Sequence, residues 1–399
     1  MRVLGMMSGT SLDAIDVALV EFRRDQDDPA LAHARILHHG EHPWPVRLRR
    51  DLLAVLPPAT SDVGTWCRLH AQVGEAFADA AHAALDGGGA ELICTHGQTL
   101  YHWVQDSRAV GTLQIGDASR IALATGVPVL YDVRSADVAR GGHGAPLVPI
   151  LDQLVLGDRP TAVVNIGGIA NVSLVGAGEV IAGDIGPGNA LIDAAVLNGT
   201  SGEQACDLDG ALARAGSIDQ ELLAALLADP FYAAPMPRST GREQFDAAYV
   251  DRLAAARGLA LPGLPDLAAT LTELTATTIA RAVLDLAPER VVLTGGGIHN
   301  PALRKRLEDL LAGPVIMDAE SAGLPADAKE AVLMALIGWL SAEQVPAVLP
   351  RADGTAITGA SGPAVLGSLT PPGALPAAQH PGRPLRRLHF PAIPAPGDP

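Results

Sequence analysis

Two segments of the chain share a pattern that restricts its fold: strand-like apolar residues, broken by a short glycine bend and then resumed. The first is GMMSGTSLDAIDVALV, Gly5 to Val20, in which Ser8-Gly9-Thr10-Ser11 interrupts the apolar run and Asp13 and Asp16 follow. The second is AVVNIGGIANVSLV, Ala162 to Val175, which turns at Asn165-Ile166-Gly167-Gly168. A tight polar bend between two apolar strands makes a β-hairpin, and residues 1–22 read as one. Two such hairpins about 155 residues apart imply a duplicated core, one copy per lobe.

The intervening segments alternate between helical and strand patterns. Residues 61–85 carry Leu69, Val73, Ala76, Phe77 and Ala80 at helical spacing. ELICTHGQTLYH reads as a short buried strand, Leu92 to Thr95, running into a polar loop. RIALATGVPVLYDV reads as a helix stopped at Gly126, then a strand. A second unit starts near Gly141. It carries a helix around Ala269–Leu286, the strand VVLTGGG and a helix opened by Asn300-Pro301, where Asn suits the N-cap and Pro the first turn. Lys329 to Leu340 reads as a largely buried helix, and the proline-rich tail after Leu369 as loosely draped chain. The alternation indicates an α/β architecture.

Composition narrows the function classes. With 48% apolar and 18% charged residues the chain supports substantial cores. A net charge of −16 argues against nucleic acid or an anionic membrane as partner, so an anionic substrate would need local donors such as glycine amides. No apolar run reaches the length of a membrane span and no signal peptide opens the chain. Three widely spaced cysteines, Cys67, Cys94 and Cys206, point to inert thiols in a reducing cytoplasm.

The first bend has neither the lysine nor the following helix of a Walker loop. It suits a hairpin whose amides and hydroxyls face phosphate oxygens, with Asp13 or Asp16 holding magnesium directly or through water. GGGIHNPALRKRL is a glycine-rich turn that would let a base and ribose approach the backbone. In GDIGPGNALIDA, Asp184 sits at a strand end, suited to a general base, and Gly186-Pro187-Gly188 leads into a helix start that could face an anion. Each feature alone is also an ordinary turn or cap; three glycine bends at strand ends in two similar lobes favour a nucleotide cleft. His96, His102 and His143 lack metal-ligand spacing and read as structural or substrate-shaping.

The blocks GMMSGTSLDAIDV, THGQTLYH, TLQIGD, GGHGAPLVP, NIGGIANVSL, DIGPGNALID, STGREQF, TLTELTATTI, GGGIHNP and ITGAS are collinear. Together they resemble anhydro-N-acetylmuramic acid kinase, of the sugar kinase, heat-shock-70 and actin superfamily. The resemblance implies a two-lobed actin-like ATPase fold, each lobe a mixed sheet flanked by helices, with a nucleotide cleft between lobes that close around ATP and sugar. It implies an N-terminal lobe of residues 1–133 and 345–369, a C-terminal lobe of 134–344, and a tail of 370–399.

The resemblance also implies the site. Gly9, Thr10, Ser11, Leu12, Asp13, Ala14, Ile15 and Asp16 would form the first ATP-binding element, with Asp13 the metal ligand. Asn165, Gly167 and Gly168 would form the second phosphate hairpin, and Gly295, Gly296, Gly297 and Asn300 the adenosine element. Gln98, Asp117, Arg134, Gly186, Gly188 and Asn189 would bind the sugar. Asp184 matches the water-activating base; Glu330 is the second catalytic candidate. The implied reaction uses ATP, Mg2+ and water to open 1,6-anhydro-N-acetylmuramic acid and yield N-acetylmuramate 6-phosphate. The γ-phosphoryl would capture the leaving O6, so no second carboxylate need protonate it. Ile185 stands where the family reads threonine, implying a lost hydroxyl donor, and DVRSAD stands for DFRRRD, keeping Arg134 but not a second arginine. The partners would be small molecules, with a homodimer allowed for; a related sugar kinase or a nucleotide-sensing protein on the same fold are the alternatives.

Overall fold

The computed structural model describes the chain except residues 10–11, 57–58, 86–87, 106–107, 237, 239, 241–243, 326–327, 371–383 and 391–399. Thr10 and Ser11 of the first bend, and Ser239 and Gly241 to Glu243 of STGREQF, therefore lie outside the described residues. The chain divides into two compact units, Met1–Val155 with Gly323–Pro399, and Leu156–Ala322. These divisions differ from the expected 133/134 and 344/345.

In the first unit, β1 (Arg2–Ser8) and β2 (Ala14–Arg24) form the expected hairpin, and β3 (Leu31–Pro43) extends it antiparallel. On the other side β4 (Leu92–Gln105) runs parallel to β1 and β6 (Val129–Tyr131) parallel to β4, while β5 (Arg108–Ile115) pairs antiparallel with β4. The β4 strand is far longer than the expected Leu92 to Thr95, because β5 folds back along it and satisfies its backbone through a register shift at Thr99 to Tyr101.

In the second unit, β7 (Thr161–Ile166) and β8 (Ile169–Val175) form the second hairpin, β9 (Ile181–Pro187) extends it antiparallel, and β10 (Arg290–Thr294) and β11 (Val315–Asp318) add in parallel beyond β7. The order β11-β10-β7-β8-β9 thus repeats the order β6-β4-β1-β2-β3 with the same strand directions. The duplication expected from two loosely similar hairpins is a property of both sheets. Two short strands complete the first sheet: β12 (Ser368–Thr370) against β6 and β13 (Arg387–His389) against β3. The tail is therefore not wholly loose, since β13 buries Leu388 against the sheet edge.

The first sheet is covered on both faces. Leu4 and Met6 pack with Val73 and Phe77 of the helix Val63–Ala84, which Asp62 caps through the Thr65 amide. The opposite face carries the helix Lys329–Ala342, whose residues from Ala331 onward are all buried. A Cβ on Gly5 would meet the Ala331 carbonyl oxygen, and one on Gly338 the Cys94 side chain. Trp339 stacks on Phe22 with ring centroids 4.9 Å apart, and burying each such side chain contributes about 1.5–3 kcal/mol. This packing, invisible to local pattern, assigns 323–344 to the first unit. In the second unit, Ile185 packs with Val164, Ile166, Ile279 and Leu293. The helix Leu264–Asp285 begins earlier than expected because Pro265 fits its first turn.

Candidate active site

The first hairpin's tip is built by three anchors. Leu12 adopts φ 57°, a left-handed conformation that costs a non-glycine residue energy and recurs at functional turns. Its carbonyl accepts a 2.7 Å bond from Arg49 Nε, and its amide donates to Gly9. Gln98, fully buried on β4, donates from Nε2 to the Gly9 carbonyl at 3.2 Å, and Trp44 donates to the Ser8 hydroxyl. The side chain of Gln98 thus supports the first hairpin's bend. Its Oε1 has no partner among the described residues, which leaves one acceptor for a ligand or water.

Asp13 is exposed and lies 3.6 Å from Arg49 Nη2. Asp16 is half-buried; burial, then Glu330, Glu41 and Asp13, raise its pKa to about 6. Glu330, in the first turn of its helix, is reached by solvent but crowded by protein, and that crowding pushes its carboxyl above the ordinary range against Lys329 and Arg134. Carboxylates whose burial disfavours the charged form suit a nearby cation that offsets that cost. Among the described residues no cluster of three or more His, Cys, Asp or Glu could enclose a metal ion. With too few carboxylates together for an all-protein cage, Asp13 and Asp16 would suit a magnesium ion that keeps most of its waters.

Asp16 also makes a stability prediction. Its folded pKa lies above the unfolded value of 3.8, so the folded state binds the extra proton and stability falls as pH rises from about 4 to about 6. Asp16→Asn mimics the protonated form. Scaled down for a half-exposed group, it is expected to raise Tm by roughly 2–4 °C at pH 7.5 and leave it unchanged at pH 4. Thermal unfolding at both values checks this; an equal shift at both would show that Asp16 is not so perturbed.

Arg134 precedes the short helix Ser135–Val138. Its Nη1 donates to the Gly144 carbonyl at 2.6 Å, while its enclosed Nε has no partner among the described residues. Gly144 is held in turn by Asp137, whose other oxygen accepts from Thr358 of ITGAS. Thus DVRSAD, GGHGAP and ITGAS form one assembly that presents Arg134. His96, buried beside it, is kept neutral by burial and then by the Arg134 charge, which lower its pKa to about 3. His102 is lowered by the same two causes and by His143. Asp117 caps the helix Ala118–Thr125 through Ser119 and lies 3.3 Å from Arg120.

In the second unit, paired residues across the sheet place Thr294, Asn165, Asn171 and Asp184 in one row over β10, β7, β8 and β9. Directly opposed residues share a face, and two strand spacings set Asn165 about 10 Å from Asp184. Asp184 Oδ2 accepts a 2.9 Å bond from the Thr240 amide. Ile185, the next residue, is fully buried in the core. A hydroxyl at that position would face the core, so the expectation of a lost ligand donor is corrected: the departure from threonine changes packing.

The glycine bends of this unit converge. The amides of Gly188 and Ala190 donate to Gly168, and that of Asn189 to Gly167. The expected anion-facing start of the helix Ala190–Gly199 therefore spends these amides on the second hairpin. A Cβ at Gly188 would lie 2.2 Å from the Gly167 carbonyl oxygen. The Cβ directions of Gly295 and Gly297 are filled by Asn165 and Ile166, whereas Gly296 faces open space. Gly186 would meet Tyr232. Asn300 accepts from the Ala302 and Leu303 amides and so caps the helix Pro301–Leu310. The structure thus groups Asn165, Gly167, Gly168, Gly188, Asn189 and Gly295 to Gly297. Sequence reasoning assigned no role to Asn171, Arg238 or Thr240, although the first and last lie in quoted motif blocks; only sheet register and a return loop bring them to Asp184.

A profile of the anhydro-N-acetylmuramic acid kinase family matches residues 1–372. The chain is similar to anhydro-N-acetylmuramic acid kinases of Rhodococcus erythropolis, at 46% identity over 384 residues (93% of this chain, 94% of the relative), and of Streptomyces coelicolor, at 45% over 377 residues (93% and 94%). The enzyme of that name from Xanthomonas campestris is 43% identical over 384 residues, covering 92% and 97%. Among solved structures, the chain is similar to a xylulose kinase from Rhodospirillum rubrum at a TM-score of 0.44 and 14% identity, covering 85% of this chain and 90% of that one.

Proposed function

The chain belongs to the anhydro-N-acetylmuramic acid kinase family, and from that premise we propose that it opens 1,6-anhydro-N-acetylmuramic acid with ATP and water, giving N-acetylmuramate 6-phosphate and ADP. The observation that carries the reading is the row that sets Asp184 on the same sheet face as Asn165 of the second hairpin.

Asp184 accepts a proton from water as the water oxygen bonds to the anomeric carbon. The bond from that carbon to O6 breaks, O6 bonds to the γ-phosphorus, and ADP leaves. The phosphoryl group thereby takes the place of the proton that a leaving oxygen otherwise requires. Gly9 to Asp16 and Asn165 to Gly168 hold the phosphates, and Gly295 to Gly297 the nucleoside, with Gly296 the open approach. Magnesium, when bound, neutralises phosphate charge; Asp13 and Asp16 would hold it through its waters. Use of ATP supports a cytoplasmic setting for the reaction. No helix of the described residues is long and apolar enough to cross a membrane.

Arg134 supplies the contact for the lactyl carboxylate, supported by its enclosed Nε. A charge-assisted pair contributes about 1.5–3 kcal/mol. Arg134→Ala is therefore expected to raise KM for the sugar roughly ten- to a hundredfold while KM for ATP holds. ADP release coupled to the anhydro sugar measures both, and an unchanged sugar KM would remove Arg134 from the site. Faster ADP release with an ordinary hexose than with the anhydro sugar would contradict the substrate assignment.

A further inference from the structure

We infer that Arg238 is the positioning residue that fixes Asp184 for proton abstraction; this rests on the reading of Asp184 as the base. Asp184 lies on β9, the terminal strand of its sheet. An edge strand leaves one row of N–H and C=O groups without a ladder partner and is correspondingly free to shift. Among the described residues, Arg238 fills that outer row at Asp184. The Asp184 amide donates to the Arg238 carbonyl at 2.8 Å. Arg238 Nε donates to the Asp184 carbonyl at 3.1 Å and Nη2 to the Ile185 carbonyl at 3.1 Å.

The same guanidinium reaches a second segment. Its Nη1 donates to the carbonyls of Phe231, Tyr232 and Ala234 at 3.1, 2.9 and 2.7 Å, and its carbon lies 4.7 Å from the centroid of the Phe231 ring. Five backbone carbonyls from two segments thus converge on one planar cation, an arrangement that the fixed fork of arginine satisfies and a lysine ammonium cannot reproduce. Gly183 permits the approach, since a Cβ there would lie 2.9 Å from the Arg238 carbonyl oxygen. Two residues on, the Thr240 amide holds Asp184 Oδ2, and the Thr240 hydroxyl donates to Gln244. Arg238 therefore fixes the backbone on which the carboxylate stands and the segment that orients its oxygen. A base misplaced by about an ångström loses on the order of a hundredfold in rate.

Removing the guanidinium should lower kcat with little change in either KM, and only while Asp184 can act as a base. Arg238→Met, which keeps an apolar stem, is expected to lose roughly 30- to 300-fold in kcat, with both KM values within about threefold of wild type. In an Asp184→Asn background the same substitution should cost less than threefold. Arg238→Lys, which retains charge and fold, should still lose at least about tenfold, and serves in place of Arg238→Met if circular dichroism shows that variant unfolded. Full kcat in Arg238→Lys, or an undiminished loss from Arg238→Met on top of a crippled Asp184→Asn, would overturn the positioning role alone. Near-normal turnover in Asp184→Asn itself would overturn both this inference and the base assignment.

Discussion

Asp184→Asn is expected to lower kcat by roughly a thousandfold or more, with binding of ATP and anhydro sugar retained. The variant keeps an oxygen for the Thr240 amide bond that now holds Oδ2, and its backbone bonds to Arg238 are untouched. What it loses is the ability to accept a proton, so the loss combines general-base catalysis with a mispositioned water. Calorimetry for both ligands and a sensitive ADP assay separate binding from turnover. Turnover within tenfold of wild type would assign the base elsewhere, and Glu330→Gln would then be the next variant: its carboxyl already sits above the ordinary range through crowding.

The second large effect concerns packing. Gly188→Ala is expected to lower kcat/KM for ATP by a hundredfold or more and to reduce Tm by several degrees. The new methyl would lie 2.2 Å from the Gly167 carbonyl oxygen and 3.2 Å from the Ala170 amide. Neither neighbour is a side-chain end that can swing away, so the second hairpin must move as a unit. That movement breaks the Gly188 and Asn189 bonds to Gly168 and Gly167 and displaces the bend assigned to phosphate. Overpacking of this kind costs about 1–3 kcal/mol. Wild-type nucleotide kinetics in a folded Gly188→Ala protein would show that the hairpin's position does not matter to ATP.

Much of this architecture was legible in local chemistry. The two hairpins announce themselves because glycine and polar residues interrupt apolar strands at Gly9 and at Gly167-Gly168. The helix Val63–Ala84 follows from apolar spacing, and the Asn300 cap from its dipeptide. Less legible was anything decided by distant partners. The full length of β4 depends on β5 folding back along it. The helix Lys329–Ala342 joins the first unit because Gly5 and Gly338 admit close contact. Ile185 reads as a missing hydroxyl beside Asp184, but the register shift between Ala170 and Asn171 faces it with the core. Arg238 carries no signal of its role, since all five of its acceptors are backbone carbonyls and any residue types can supply them.

The central claim is that water opens the anhydro ring while O6 takes the phosphoryl group. The direct test is turnover of the anhydro sugar with ATP in water enriched in oxygen-18, followed by mass analysis of the sugar product. The account predicts one labelled oxygen per sugar, on the anomeric carbon, one phosphoryl group on O6, and one ADP per sugar opened. Label in the phosphate instead, or a phosphorylated sugar whose anhydro ring is intact, would contradict it.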